Sequence, residues 1–303
     1  MYRARNAVGN ILVAAGAAMV LFALLWWGVA VNRIVLFPTG FELSTPCQGT
    51  VTRFTGKHGI LALSPPEKSG FSLVRKLSSL DGDYSSEIAV VEETVRNEGE
   101  PPFGLHLDER NVYVMNRGSC ENVKSGLSTS QGEAVDRSGS WYVNFPFGTG
   151  KESRNLFDNS VASSFAVKFV RRAQADGLSA YLFKGSHGYR PLVDRTARSL
   201  GLPLETTFGE LKAELQATGI PLDTMVSASY ARLTPEEKSS FQQFPDSRKI
   251  ALTYSVKTEW EALVEPVTGT IVDVKKCSNR IFVNSDVATF LPLLEILAKH
   301  SED

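Results

Sequence analysis

Residues 148–151 of this 303-residue chain are of types that could bind a phosphate group. The run Gly148-Thr-Gly-Lys151 resembles the end of a phosphate-binding loop. The full pattern requires another glycine five positions before Gly150, and a serine or threonine after the lysine. Phe145 and Glu152 occupy those two positions, so we interpret the segment as a turn that follows a strand.

Two sets of residues could hold a metal ion. Asp81-Gly82-Asp83 could begin a calcium loop, but the later acidic ligands are missing at the expected spacing, and Asp and Gly are ordinary turn residues. The histidines form no closely spaced ligand pair. They are His58, His106, His187 and His300. The sequence therefore predicts no metal and no cofactor, with a metal site assembled from distant segments as the alternative.

Two further sets of residues could support catalysis. Ser186 and His187 are adjacent, but neighbouring residues rarely direct both side chains at one atom, and no nucleophile-elbow pattern surrounds them. We therefore expect an exposed loop there. Acidic residues such as Glu133, Asp136 and Asp158 could act on a glycosidic bond if two carboxyl groups lay at a suitable separation, which sequence spacing does not reveal. The prediction is a protein without enzymatic activity, and a glycolipid-acting enzyme is the alternative.

An aromatic group is the strongest candidate for ligand binding. Its members are Trp141, Tyr142, Phe145, Phe147 and Phe157. Because side chains alternate along a strand, some of them must face away from the core, where they could line an apolar groove for acyl chains or stack on sugars. The competing interpretation is that all five belong to the hydrophobic core.

Composition limits the class of protein. The chain has 32 basic and 33 acidic residues, a net charge of −1, and 43% hydrophobic residues. This balance excludes a general nucleic-acid binder and a disordered chain. Three cysteines are too few for a disulfide scaffold or a structural zinc site. In an oxidising compartment one bridge could form, and Cys120 and Cys277, at the ends of predicted strands, are the candidate pair, which would leave Cys47 free.

The N-terminal region predicts a membrane anchor. Ile11–Val31 contains no charged residue, and its length of ~31 Å matches the hydrocarbon core of a bilayer. Arg3 and Arg5 precede it, which by the positive-inside rule places residues 1–10 in the cytoplasm. We expect a transmembrane anchor over 11–33 and an extracytoplasmic domain over 34–303, hence a single-pass plasma-membrane protein. The alternatives are a cleaved signal peptide and, less well supported, a lipoprotein modified at Cys47.

The rest of the chain is predicted to be mainly β (α+β). Strands are expected at 111–115 and 141–147, and at 165–170 and 178–183, where Asp176-Gly177 indicates a hairpin. Further strands are expected between 250 and 275, with a turn at Glu265–Gly269.

Three other regions have different expectations. Residues 192–245 are predicted to form a helical insertion, in which Thr207 and Glu210 have the spacing of a capping box. Residues 285–299 are predicted to form a C-terminal amphipathic helix. Residues 57–110 are interpreted as loops.

Several segments resemble one known family. They are the N-terminal apolar segment, Trp141–Lys151 (WYVNFPFGTGK) leading to Phe157-Asp158, the hairpin over 165–183, and Trp260–Ile271 (WEALVEPVTGTI). Together they are similar to the actinobacterial porin PorA family. The chain departs from that family at Gly148, where members have an aspartate, and in lacking their second transmembrane helix.

This resemblance implies an extracytoplasmic β-rich domain in a lipid-rich bacterial envelope. The expected partners are the membrane lipid bilayer, an envelope lipid or lipoglycan, and a membrane protein, and no nucleic acid. The expected function is to bind or hand on a lipid or lipoglycan, or to scaffold envelope assembly. Besides the enzyme considered above, a pore-associated subunit is an alternative.

Overall fold

The computed structural model describes residues 19, 36–55, 62–80, 85–100, 102–217, 244–285 and 291–300. The chain divides into two compact units, Met1–Pro38 and Thr39–Asp303. The first unit is described only at Met19 and residues 36–38, so the fold presented below is that of the second unit.

The described part of the second unit contains thirteen strands and two short α-helices, besides a single 3-10 turn at Pro102–Gly104. In chain order they are β1 (Glu42–Thr55), β2 (Ala62–Ser79), β3 (Ile88–Asn97), β4 (Glu109–Asn116), β5 (Thr129–Ser130), β6 (Glu133–Ala134), β7 (Arg154–Asp158), β8 (Ser163–Ala175), β9 (Leu178–Pro191), α1 (Asp194–Ser199), β10 (Glu205–Thr207), α2 (Phe208–Ala217), β11 (Lys249–Val264), β12 (Ile271–Ser285) and β13 (Leu291–His300).

These strands form one antiparallel sheet. Its order is β6-β5-β4-β3-β2-β1-β13-β12-β11-β9-β8-β7, and β10 pairs with β11. The two ends of this order meet in space. Asn159, which follows β7, donates a hydrogen bond of 2.9 Å to the Tyr113 hydroxyl on β4. Arg137 donates both to the Val112 carbonyl on β4 and to Asn159. The sheet therefore curves on itself and encloses one of its faces, the inner face.

Alternating burial along β11 shows how the sequence builds this inner face. Ile250, Leu252, Tyr254 and Val256 are buried, whereas the residues between them are not. Since successive side chains of a strand point to opposite faces, a period of two places apolar residues inside and polar ones outside.

The inner face carries two hydrophobic clusters with polar residues between them. Along β11, Val256 belongs to the first cluster, Trp260 belongs to the second, and Thr258 lies between them. On β12, Asn279 separates Ile281 from the second cluster in the same way. We call the polar groups at this level the polar layer. It comprises Arg75, Glu93, Glu109, Asn111, Tyr113, Arg137, Asp158, His187, Thr258 and Asn279.

Three local predictions are confirmed. Asp176 and Gly177, with φ of 48° and 78°, form the turn between β8 and β9. The segment Glu265–Gly269 joins β11 to β12, and the Gly269 amide donates to the Glu265 carbonyl at 2.8 Å. The capping box at the start of α2 is formed, because the Thr207 amide donates to a Glu210 carboxylate oxygen at 2.9 Å and the Glu210 amide donates to the Thr207 hydroxyl at 3.3 Å.

The predicted single transmembrane helix is corrected. Apart from Met19, the segment Ile11–Val31 lies outside the described residues, and no helix within the described residues is long and apolar enough to cross a membrane. The single-pass topology and plasma-membrane placement depended on that helix and are withdrawn with it. The main framework of the described chain is antiparallel sheet, with only short helices.

The structure has a strand where the sequence predicted a C-terminal helix over 285–299. β13 lies between β1 and β12 and pairs with both. Two neighbouring strands satisfy its backbone hydrogen bonds, and buried Leu293 and Leu294 add apolar contacts, so pairing stabilises this short apolar run as a strand. Of the predicted helical insertion, the described part contains α1, β10 and α2, and residues 218–243 lie outside the described chain.

The aromatic segment 141–147 was predicted as a strand, yet it forms none. Trp141 makes a single isolated bridge with Leu156. The Phe145 amide donates to the Gly269 carbonyl at 2.9 Å, which ties the segment to the turn between β11 and β12. A side chain at position 269 would place its Cβ only 2.2 Å from the Phe145 carbonyl oxygen, so this close approach requires glycine.

Candidate functional site

A cavity of about 250 Å³ lies on the inner face and is partly open to solvent. Residues from eight strands line it, which is possible only because the sheet curves on itself. Its apolar part is formed by Leu156, Phe157, Phe165, Trp260, Ile271, Val274 and Ala298. Its other part is formed by Cys47, Arg75, Glu109, Tyr142, Asp158, Asn159, Ser160, Thr258, Cys277, Asn279 and Lys299. The cavity thus has an apolar side and a polar side.

Asp158 and His187 form a buried hydrogen-bonded pair at the polar side. His187 Nε2 lies 2.8 Å from Asp158 Oδ2, and Nδ1 lies 2.7 Å from the Gly188 carbonyl oxygen. Both ring nitrogens of His187 thus face oxygen atoms. Burial acts to raise the pKa of Asp158, but hydrogen bonds from His187, Ser160 and Thr258 outweigh it and hold the pKa below its usual value.

Glu93 is the centre of a second buried network. Its side chain is fully buried and accepts hydrogen bonds from Arg75 Nε at 2.6 Å, from the Tyr113 hydroxyl at 2.7 Å and from Asn111 Nδ2 at 3.1 Å. The Tyr113 ring stacks on Tyr142 with centroids 4.8 Å apart. This network holds Arg75 and Tyr142 in place where they line the cavity.

Arg137 joins the two ends of the sheet behind the cavity. Its guanidinium is buried and lies over the rings of Tyr113 and Phe157, at 4.5 and 5.4 Å. Its hydrogen bonds go to neutral acceptors, namely the carbonyls of Val112 and Thr129, the hydroxyl of Ser128, and the amide oxygens of Asn111 and Asn159. The polar layer therefore contains a positive charge held by dipoles and aromatic rings.

Glu109 differs from the other two carboxyl groups of the polar layer. Glu93 has Arg75 and Asp158 has His187, but no cation within the described residues pairs with Glu109. Its hydrogen-bond donor is Asn111 Nδ2, at 3.5 Å. Burial, followed by the nearby charges of Glu93 and Asp158, raises the pKa of Glu109 to about 7. At neutral pH a large fraction of Glu109 is thus the uncharged acid.

Glu109→Gln should change how stability depends on pH. The folded-state pKa of about 7 exceeds the ordinary value of 4.5, so the folded state binds the extra proton between these values, and stability falls as pH rises through this window. The cost at pH 8 is about 2–3 kcal/mol. Between pH 5 and pH 8, the free energy of unfolding measured with urea should fall by about 2–3 kcal/mol more in the wild type than in Glu109→Gln. Glu98→Gln, at an exposed site, should keep the wild-type profile, and the prediction is wrong if all three profiles coincide.

All three cysteines are free in the structure. Cys277 lines the cavity, whereas Cys120 is buried elsewhere, with Asn144 Nδ2 3.6 Å from its sulfur. The predicted pair Cys120–Cys277 is therefore not bridged here. Burial raises the pKa of Cys277 to about 12 and that of Cys120 to about 11, and it also raises the pKa of Cys47. These thiols remain protonated at neutral pH and are weak nucleophiles.

The predicted aromatic group is divided between three environments. Tyr142 and Phe157 line the cavity. Phe145 is part of the second hydrophobic cluster. Trp141 donates from Nε1 to the Ser119 carbonyl at 3.0 Å, and it and Phe147 do not line the cavity. Two of the five predicted ligand-binding residues are thus brought to the site.

The other chemical candidates from the sequence do not converge. Ser186 and His187 lie on β9 and face opposite sides, and His187 is buried in the sheet rather than exposed in a loop. Glu133 is exposed and pairs with Arg198 at 3.0 Å, and Asp136 is exposed, so of the three proposed acids only Asp158 reaches the cavity. Gly148, with φ of 66°, belongs to a turn, but the strand expected before that turn is not formed.

The metal candidates are only partly visible. Residues 81–83 and His58 lie outside the described chain. Among the described residues, no group of three or more His, Cys, Asp or Glu side chains is placed to hold a metal ion.

The sequence analysis missed most of the polar side of the cavity. Arg75, Glu109, Thr258 and Asn279 are far apart in the chain and carry no motif. They could have been recognised as polar residues at inward positions of strands whose other inward residues are apolar. Thr258, which lies between Val256 and Trp260 on the buried side of β11, is an example.

A second depression, of about 860 Å³, lies on the opposite side of the sheet. Four of its charged residues form two ion pairs. Lys184 bonds Glu261 at 2.6 Å, and Lys276 bonds Glu259 at 2.6 Å. Hydrogen bonds from Lys257 and Lys276 lower the pKa of Glu259 to about 2. Arg190, which also lines the depression, donates to the Ser163 hydroxyl and the Ser164 carbonyl.

Comparison with known proteins identifies the family of the chain. A search of curated proteins gave no match. Among solved structures, a candidate thioesterase II from Thermobifida fusca is 10% identical and covers 91% of this chain and 85% of its own, with a TM-score of 0.13, which is too low to carry an argument. Residues 8–302 match the family described as Porin PorA, which supports a membrane-associated protein of the cell envelope. Because this match spans nearly the whole chain, the protein belongs to the porin PorA family.

Proposed function

We propose that the protein binds or hands on a single-chain amphiphilic lipid of the cell envelope in the inner-face cavity, without chemically changing it. The observation that carries this proposal is the division of the cavity into an apolar side, which includes Trp260 and Val274, and a polar side, which includes Arg75 and Glu109. A hydrocarbon chain fits the first and a polar head group fits the second. Sites for small ligands typically combine apolar walls with a few polar groups in this way.

The size of the cavity favours a small ligand. At about 250 Å³ it lies just below the usual range of about 300–1,000 Å³ for ligand pockets. One hydrocarbon chain can enter from the open side, whereas two chains of a diacyl lipid exceed the space. For a lipoglycan, the cavity would hold one chain and leave the glycan outside.

The chemistry of the polar groups supports binding rather than catalysis. Asp158 already accepts hydrogen bonds from His187, Ser160 and Thr258, which leaves it poorly available as a base. The thiol of Cys277 has a raised pKa and is a weak nucleophile. Glu109 is the group on this side best placed to meet a ligand.

Filling the cavity should abolish binding. Ala298 lines it from β13, and Ala298→Phe would place a phenyl ring in the space meant for the chain. We expect calorimetry with dodecanoate, below its micelle concentration, to show binding to the full wild-type chain with a negative heat-capacity change, and at least tenfold weaker binding to Ala298→Phe. Native mass spectrometry should show a co-purified lipid in the wild type and none in Ala298→Phe.

The matched control is Val267→Phe, which adds the same ring at a turn position that is 71% exposed. This variant should bind like the wild type. Unchanged binding by Ala298→Phe, or no binding and no co-purified lipid in the wild type, would refute the proposal. The pore-associated role named by the family description is the alternative, and conductance across planar bilayers containing the purified chain would favour it.

A further inference from the structure

The charges of the polar layer point to the head group of the ligand. This step rests on the proposed lipid-binding function. Glu93 is paired with Arg75, and Asp158 is hydrogen-bonded to the His187 ring, so two of the three carboxyl groups of this layer each have a side-chain partner. Arg137 adds one further positive charge that is held by neutral acceptors.

The protonation of Glu109 changes the charge of this layer by one unit. As the neutral acid, Glu109 adds no charge to the layer, whereas its ionisation adds a third carboxylate to those of Glu93 and Asp158. An anionic head group is therefore held more strongly while Glu109 carries its proton.

The surroundings of Glu109 show what it can offer a ligand. It lines the cavity at the start of β4, and Arg75 on β2 lines the same cavity. The ionisable groups that act on Glu109 or on which it acts are Glu93 on β3, Asp158 at the end of β7, Cys277 on β12 and Tyr142. Asn111 Nδ2 is its hydrogen-bond donor from the same strand. An uncharged carboxylic acid has one O–H group to donate, and the cavity is where an acceptor can reach it.

We propose that Glu109 is the specificity-determining residue of the cavity and that, as the neutral acid, it donates a hydrogen bond to the carboxylate head of a single-chain fatty acid. Arg75, which also lines the cavity, supplies a positive charge there. The hydrocarbon chain extends along Trp260 and Val274. Ionisation of Glu109 removes the donor and places a negative charge against the head group, so the ligand is held at mildly acidic pH and released as the pH rises.

The test compares dodecanoate with dodecanol, which has the same chain and an uncharged head. With a Glu109 pKa of about 7, the protonated fraction falls about tenfold between pH 6 and pH 8. We expect dodecanoate, which is ionised at both pH values, to bind the full chain about tenfold more weakly at pH 8. Dodecanol can donate to an ionised Glu109, so its affinity should change by less than about twofold.

Two variants and one independent measurement complete the design. Glu109→Gln keeps a neutral donor and should bind dodecanoate equally well at pH 6 and pH 8, whereas Glu98→Gln should keep the tenfold dependence. If Glu109→Gln does not fold, calorimetry of the wild type at pH 7 in buffers of different ionisation enthalpy should show uptake of about half a proton per dodecanoate bound.

The outcomes separate this inference from the proposed function. A tenfold dependence that persists in Glu109→Gln, an equal pH response of both ligands, or binding without proton uptake would overturn the role of Glu109 while lipid binding stands. Failure of both ligands to bind at any pH would overturn the lipid-binding function itself.

Discussion

Replacing Glu93 by alanine should lower the free energy of unfolding by about 3–5 kcal/mol, which is the usual cost of removing one partner of a buried ion pair. The carboxylate of Glu93 is fully buried and accepts hydrogen bonds from three side chains. Its loss leaves the Arg75 charge uncompensated and removes the acceptor of Tyr113 and Asn111. Urea unfolding at pH 7, followed by circular dichroism, measures the difference.

Glu92 provides the matched control because it is the next residue along β3 and faces the other side of the sheet. It pairs with Arg110, whose side chain is 69% exposed, at 2.6 Å. Exposed pairs contribute about 0–1 kcal/mol, so Glu92→Ala should change stability by no more than that. Equal losses in Glu92→Ala and Glu93→Ala would show that the buried network does not stabilise the fold as argued.

Arg137→Met should cost about 3 kcal/mol or more. Methionine keeps much of the apolar stem but cannot donate to the Val112 and Thr129 carbonyls or to Asn159. Hydrogen bonds from a charged donor contribute about 1.5–3 kcal/mol each, and the abandoned acceptors stay buried. Since these bonds join the two ends of the sheet, hydrogen exchange should also quicken in β4 and β7 before the rest.

Arg110→Met is the corresponding control on the exposed side of β4. It removes an arginine on β4 whose side chain does not reach the inner face. The free energy of unfolding is expected to change by less than about 1 kcal/mol. If Arg137→Met unfolds at the same urea concentration as the wild type, Arg137 does not join the sheet ends energetically.

Local turns and caps could be predicted from the sequence because neighbouring residues determine them. Asp176-Gly177 suits the positive φ angles of the hairpin. In the capping box, the side chains of Thr207 and Glu210 each accept a hydrogen bond from the backbone amide of the other residue. Both depend on contacts within four residues. Tertiary packing had little opportunity to override them.

The strands within 57–110 could not be predicted because the inner face carries charge there. β2 places Phe71, Leu73, Arg75 and Leu77 on one face in an alternating pattern. An arginine in that pattern suggests an exposed segment, unless its partner Glu93 on the next strand is known. Because Arg75 and Glu93 are charged residues at inward positions, the alternation of apolar and polar residues in β2 and β3 could not be recognised from the sequence.

The C-terminal segment was misjudged for the opposite reason. It is apolar at inward Leu294 and Ile296 and also at Leu297, which faces outward and is 39% exposed. With apolar residues on both faces, alternation disappears, and a short apolar run does not distinguish helix from strand. The cavity was equally hidden, because its lining is assembled from eight strands and depends on closure of the sheet. Aromatic content indicated Tyr142 and Phe157 but gave no reason to choose Glu109 or Asn279.

The position of β13 between β1 and β12 has a consequence for biosynthesis. A ribosome releases β1 long before β13, yet among the described strands β1 and β12 are linked in the sheet through β13. Until that strand emerges, each would expose an unpaired edge of backbone donors and acceptors, which is a template for aggregation. Stop codons shortly before residue 291 should therefore yield insoluble products.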